Sequence, residues 1–204
     1  MRFLYVMDPM CAWCYGFQPE LERFLEHYPS ADVDWIMGGL APDTEEPMNE
    51  NLKQAISSYW HEIEKVSQVT FNHSYWELNT PYRSTYQACR AVISAEKLAV
   101  KSAQKMVRAI QLAYYREARN PSLDRTLIDC AKSLDLSEQQ FLAALHSKET
   151  ELRLREHLTI ARHFQVSGFP AFFYINEGKQ VYPLTLGFCK ADELFERFTL
   201  IPEA

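Results

Sequence analysis

Hydrophobic positions along this chain change period twice, and the changes mark its parts. Residues 2–7 (RFLYVM) are almost wholly apolar and stop at Asp8–Pro9, which predicts a short buried strand. Phe17, Leu21, Phe24, Leu25 and Tyr28 then recur at helical spacing, predicting an amphipathic helix ended by Pro29–Ser30. Val33 to Met37 reads as a second strand, closed by Gly38 and Gly39. Strand, helix and strand in this order predict a βαβ unit with a right-handed crossover.

From about Pro47 to Phe164 the helical period takes over, and five or six helices are expected. Asn120–Pro121 has the form of a cap followed by proline at the first helical position. Ser137 to Gln140 (SEQQ) has the form of a capping box. Tyr59, Trp60, Tyr75, Trp76, Tyr82 and Tyr86 are expected to pack between these helices. After Gly168, which is expected to let the chain bend sharply, the strand period returns. AFFYIN and QVYPLTLG flank the turn EGK, predicting a hairpin. Leu194, Phe195 and Phe198 then form the apolar face of a last helix.

Composition narrows the function classes. With 47% hydrophobic and 24% charged residues, the 204-residue chain has the make-up of a folded globular protein. A net charge of −6 argues against nucleic acid as a partner, because phosphate binding needs clustered Lys and Arg. No apolar run reaches the eighteen or so residues of a membrane span, so no membrane partner is expected. The opening MRFLYVMDP lacks the long apolar stretch and cleavage site of a secretory signal. A cytoplasmic location is therefore expected, and with it a catalytic or metal-binding use for closely spaced cysteines.

Such a pair stands in MDPMCAWCYGF. Cys11 falls where the first strand gives way to the first helix. Unpaired N–H groups and the helix dipole favour a thiolate there. Cys14 lies one turn further in, within disulfide reach and more shielded. Cys11 is thus expected to attack a substrate disulfide and Cys14 to resolve the mixed disulfide. Zinc is disfavoured because four ligands are the rule and no second close Cys/His pair accompanies this one. A structural staple is disfavoured because so short a loop removes little entropy from the unfolded chain. Far along the chain, in QVSGFPAFFYI, Pro170 stands just before a strand. A cis bond there would leave the Phe169 backbone open for pairing with a peptide or thiol substrate; a trans proline at an edge-strand start is the ordinary alternative.

Together, Cys11-Ala12-Trp13-Cys14-Tyr15-Gly16-Phe17 and Val166-Ser167-Gly168-Phe169-Pro170 resemble the DsbA-like branch of the thioredoxin superfamily, over nearly the whole chain. The resemblance implies an α/β thioredoxin-like fold, residues 1–46 and 165–204, with a large all-helical domain, residues 47–164, inserted in it. It implies thiol–disulfide oxidoreductase or isomerase activity, with Cys11 as nucleophile, Pro170 as the cis-proline facing the disulfide, and Trp13, Phe169 and Pro170 at the substrate. No metal or organic cofactor is implied, and the expected partners are proteins or peptides carrying thiols or disulfides. Exported DsbA proteins have Pro-His between the cysteines; Ala12-Trp13 brings no positive charge, so a less oxidising couple is expected.

Residues 83–90 (RSTYQACR) also resemble a helix of cytosolic members related to kappa-class glutathione transferases and chromene-carboxylate isomerases. Those relatives usually carry serine at the position of Cys11 and an Asp-Arg pair early in the last helix. Here Cys11 and GFCKADELF stand instead, which makes a glutathione-dependent transferase or isomerase the weaker alternative. Glutathione as a redox partner stays open, as does a non-enzymatic peptide-binding module. Cys89 and Cys130 read as small buried hydrophobes, and Cys189 as a candidate auxiliary thiol near Pro170. His163, ahead of the Pro170 loop, is expected to cap a helix C-terminus, with a reach to the active site as the alternative. Asp8 is expected to shape the turn before the cysteines, or to act as a nearby negative charge. Arg83 and Arg90 are candidate holders of an acidic thiol.

Overall fold

In the computed structural model, which describes residues 1–202, the near-continuous apolar run forms β1 (Arg2–Met7), because both of its faces are covered. Phe3, Tyr5 and Met7 face one hydrophobic cluster and Leu4 and Val6 another, the alternation a strand imposes. β2 (Asp32–Met37) pairs parallel with β1, from Arg2 opposite Asp32 to Met7 opposite Met37. α1 (Ala12–Glu26) is the crossover between them. β3 (Ala171–Ile175) lies antiparallel on the other side of β1, with Leu4 opposite Phe173. β4 (Val181–Leu186) completes the sheet order β2-β1-β3-β4. Pro183 is tolerated within β4 because an edge strand has a side where no ladder donor is needed. The expected hairpin is present. Its turn is closed by Asn176 N–H to Gln180 O and Lys179 N–H to Asn176 O.

Between β2 and β3 in the sequence come α2 (Glu50–Ser67), α3 (Tyr75–Leu78), α4 (Tyr86–Leu98), α5 (Ala103–Tyr115), α6 (Asp124–Lys132), α7 (Glu138–Leu145) and α8 (Lys148–His163), and α9 (Ala191–Thr199) follows the hairpin. Seven helices rather than five or six fill this stretch, because α3 is a single turn that periodicity cannot register. Asn120–Pro121 does not start a helix. The Asn120 side chain accepts from Ser122 N–H and donates to Thr80 O, making a turn, and α6 begins only at Asp124. Ser137 does cap α7, accepting from Gln140 N–H.

The sheet face carrying Phe3 and Phe172 packs on α1 and α9 through Phe24 and Phe198. The same hydrophobic cluster continues through Cys14 and Phe17 to Trp60, Phe71, Tyr114 and Tyr115 of the helical part. Tyr59 departs from the expectation for the aromatic residues: it sits beside Trp60 on α2 but on the face turned to solvent, 55% exposed.

The opposite sheet face is covered by α8 through Ala161 and, just past its end, by Phe164. There His157 is buried, and its Nδ1 accepts the Met37 N–H at 3.1 Å. Burial, with Arg153 nearby, pushes its pKa down to about 4. The unfolded chain therefore binds a proton below about 6.5 and the folded protein only below about 4. Stability falls as the pH drops through that window. The expected loss from this group between pH 7 and pH 5 is about 2 kcal/mol. Urea unfolding of His157→Gln, which can still accept from Met37, should show that much less pH dependence; an unchanged slope would assign it elsewhere.

Candidate active site

The loop from Asp8 to Cys11 delivers the cysteine pair. Cys11 N–H donates to Asp8 O at 3.0 Å, a turn that lets α1 start at once. Cys11 is the N-cap of α1, with extended backbone angles and no side-chain cap bond, so its Sγ is not tied to the first turn of the helix. That sulfur donates to the Phe169 carbonyl at 3.7 Å. The Phe169–Pro170 bond is cis, and Pro170 O accepts from Gly187 N–H at 2.7 Å, which ties this corner to the end of β4. Trp13 is half-buried against Phe188, 5.6 Å between ring centroids. Thus Cys11, Phe169 and Pro170 meet, and Trp13 borders the same corner.

Both cysteines are free thiols, Cys11 6% exposed and Cys14 fully buried. Burial pushes the Cys14 thiol well above its ordinary range, and the hydrogen bond and charge from Cys11 push the same way. Tyr5 lies against the pair with its hydroxyl buried, and burial, followed by the two neighbouring thiols, pushes its pKa well up.

Gly38, not Gly168, is the glycine this corner requires. A Cβ on Gly38 would sit 2.1 Å from the Phe169 ring, whereas one on Gly168 would meet nothing within 4 Å. Gly168 also keeps an ordinary negative φ, so the expected sharp bend needs no glycine there.

Asp8 does more than shape a turn. It is fully buried and accepts from Met10 N–H (2.8 Å), Leu40 N–H (2.6 Å), Thr85 Oγ1 (2.6 Å) and Cys89 Sγ (3.5 Å). One carboxylate thereby joins the loop before Cys11, the loop after β2, and the start of α4. Burial raises its pKa despite these bonds. Folded Asp8 takes up a proton before the unfolded chain does, so its share of the pH dependence favours acid and opposes that of His157. Thr85 and Cys89 carry no sequence signal for this role, since their partner lies 77 and 81 residues away.

Cys89 is therefore not simply a small hydrophobe. Its thiol bonds to Asp8, and burial followed by the Asp8 charge drives its pKa well up. Cys130 is buried with its pKa at about 12. Cys189 is buried beyond β4, its thiol raised by burial against a hydrogen bond from Thr185. Arg90 is committed to a two-pronged pair with Asp43, both bonds 2.8 Å, and reaches Glu151 at 3.3 Å. His163 is the last residue of α8, where a basic group suits the helix dipole.

Residues 4–192 match the DSBA-like thioredoxin domain. The chain belongs to the DsbA-like thioredoxin domain family. DsbA-like relatives include a candidate protein disulfide isomerase from Nitrosomonas europaea, superposing with a TM-score of 0.86 at 26% identity over 97% of this chain and 95% of that one. The cytosolic disulfide reductase DsbM from Pseudomonas aeruginosa shares the fold at a TM-score of 0.79 and 23% identity, covering 98% of this chain and 97% of DsbM, and has also been solved with GSH. Among curated proteins, the ClpXP adapter protein SpxH of Bacillus subtilis is 23% identical over 83% of this chain. The match covers 56% of SpxH, so the chain spans little more than half the length of that relative. No helix among the described residues is long and apolar enough to cross a membrane.

Proposed function

We propose that this DsbA-like protein is a cytoplasmic thiol–disulfide oxidoreductase working through Cys11 and Cys14. The observation that carries the reading is the meeting of Cys11, at the N-terminus of α1, with the Phe169 carbonyl, while Cys14 is held buried one turn on. The Cys11 thiolate attacks one sulfur of a substrate disulfide, that S–S bond breaks, and the departing substrate sulfur takes up a proton. Cys14 then loses its proton and attacks Cys11 Sγ, so the Cys11–Cys14 bond forms and the second substrate thiol leaves. Two electrons pass to the substrate, and a thiol such as glutathione returns the pair to the dithiol. Residues 1–46 and 165–204 carry this chemistry, and the helices of 47–164 offer surface to a protein or peptide substrate beside Trp13, Phe169 and Pro170. The steps require no metal or organic cofactor.

The test is a trap. Cys14→Ala, expressed in cells and recovered after acid quenching, is expected to carry proteins or glutathione disulfide-linked to Cys11, identified by mass spectrometry. Cys11 found only as free thiol would overturn the reading. A second reading, a non-enzymatic adapter, draws on the likeness to SpxH. It expects partner capture that survives loss of both cysteines.

A further inference from the structure

Away from the cysteine pair, three side chains with metal-ligating atoms converge between α2 and the loop before α3. His61 and Glu64, three residues apart on α2, share a helix face. His73 returns over them from the loop, whose path is fixed at several points. Gln68 ends α2 in the left-handed conformation, Phe71 N–H donates to Glu64 Oε1 at 2.8 Å, and Asn72 N–H donates to Tyr115 O at 2.6 Å.

With Oε1 thus engaged, Glu64 turns Oε2 toward both imidazoles. His73 Nε2 stands 3.1 Å from it and His61 Nδ1 3.5 Å. The three ligating atoms all lie within 4.8 Å of one another. The imidazole rings are stacked, 3.9 Å between centroids at 11°, so their in-plane lone pairs run side by side, and the exposed His61 ring must rotate before both nitrogens converge on one ion. The contact at 3.5 Å is too long for a good hydrogen bond, so His61 points a nitrogen at the carboxylate without a bond of its own.

These spacings suit a shared cation. Metal–nitrogen and metal–oxygen bonds of about 2.0–2.2 Å in tetrahedral array put neighbouring donor atoms about 3.3–3.6 Å apart. The His61 contact of Oε2, at 3.5 Å, falls in that range, and the His73 contact, at 3.1 Å, is slightly shorter. Two imidazoles and one carboxylate suit zinc, cobalt or nickel; calcium and magnesium want six or more oxygen ligands or near-octahedral water.

We propose that His61, Glu64 and His73 bind one divalent cation of the zinc, cobalt or nickel type, with water completing its coordination. Such an ion cross-links α2 to the loop before α3. That loop also carries Phe71, whose ring meets Tyr15 edge-on at 5.2 Å, directly after Cys14. The site is separate from the cysteine chemistry and does not depend on it.

The probe is Co²⁺, titrated into Cys11→Ser/Cys14→Ser protein so that the dithiol cannot compete, and followed by calorimetry and visible absorption. One equivalent is expected to bind, with the d–d bands of a nitrogen and oxygen site and no thiolate charge-transfer band, and Zn²⁺ should displace it. His61→Ala, whose exposed side chain makes it safe for folding, and Glu64→Gln, which can keep the Phe71 bond, should each weaken binding about 10- to 100-fold. Absence of saturable binding, or unchanged affinity in either variant, would overturn the site.

Discussion

Replacing Cys11 by serine is expected to lower disulfide turnover by about a thousandfold or more while leaving the fold intact. The two side chains differ little in size, and Cys11 Sγ makes only the single long contact to Phe169 O, so little stability rides on it. The chemistry rides on it entirely, since a hydroxyl does not form the thiolate that attacks a disulfide. The other thiols are held back from forming a thiolate. Cys14 is fully buried, Cys89 is bonded to Asp8, and Cys130 and Cys189 are buried with raised pKa values. Reduction of insulin or of glutathione disulfide measures the effect. Activity above about a tenth of the parent in Cys11→Ser would place the nucleophile elsewhere. Conjugation of an electrophile to glutathione that survives Cys14→Ser would instead favour the transferase alternative.

Asp8→Ala is expected to destabilise the protein by about 2–4 kcal/mol in urea unfolding. The substitution leaves Met10 N–H and Leu40 N–H without their acceptor and removes the acceptor of Thr85, whose own hydroxyl accepts from Ala41 N–H. Each buried donor left without a partner costs about 1–3 kcal/mol, not additively. Against that stands relief of the desolvation that raises the Asp8 pKa. Three hydrogen bonds of 2.6–2.8 Å make the loss the larger effect. Asp8→Asn keeps one acceptor oxygen and should fall between the two. An alanine variant as stable as the parent would show that burial of the charge cancels its bonds.

The elements with strong periodicity were legible without coordinates. β1, α1, β2, the β3–β4 hairpin and α9 follow from hydrophobic spacing and turn residues, because local burial demands act on neighbours in sequence. The Asn120–Pro121 signal misled for the converse reason: Asn120 is used by Thr80, 40 residues away, and the turn this makes outranks the local preference for a cap. His61, Glu64 and His73 went unread because their spacing of three and nine residues matches no common ligand pattern; only the fold of the loop after Gln68 closes it.

By itself the sequence determined that a cysteine pair opens a helix after a buried strand, and that a proline precedes a strand near the far end. Those facts follow from spacing, and with the family resemblance they fix the kind of chemistry to expect. Tertiary structure alone decided that Cys11 meets Phe169 across 158 residues, that Gly38 makes room for the Phe169 ring, and that Asp8 ties Thr85 and Cys89 to the loop before the pair. Such contacts depend on where a sheet and seven helices bring distant backbone together. A buried carboxylate or a close glycine is specified by partners far along the chain, whereas a helix or strand is specified by its own next turn.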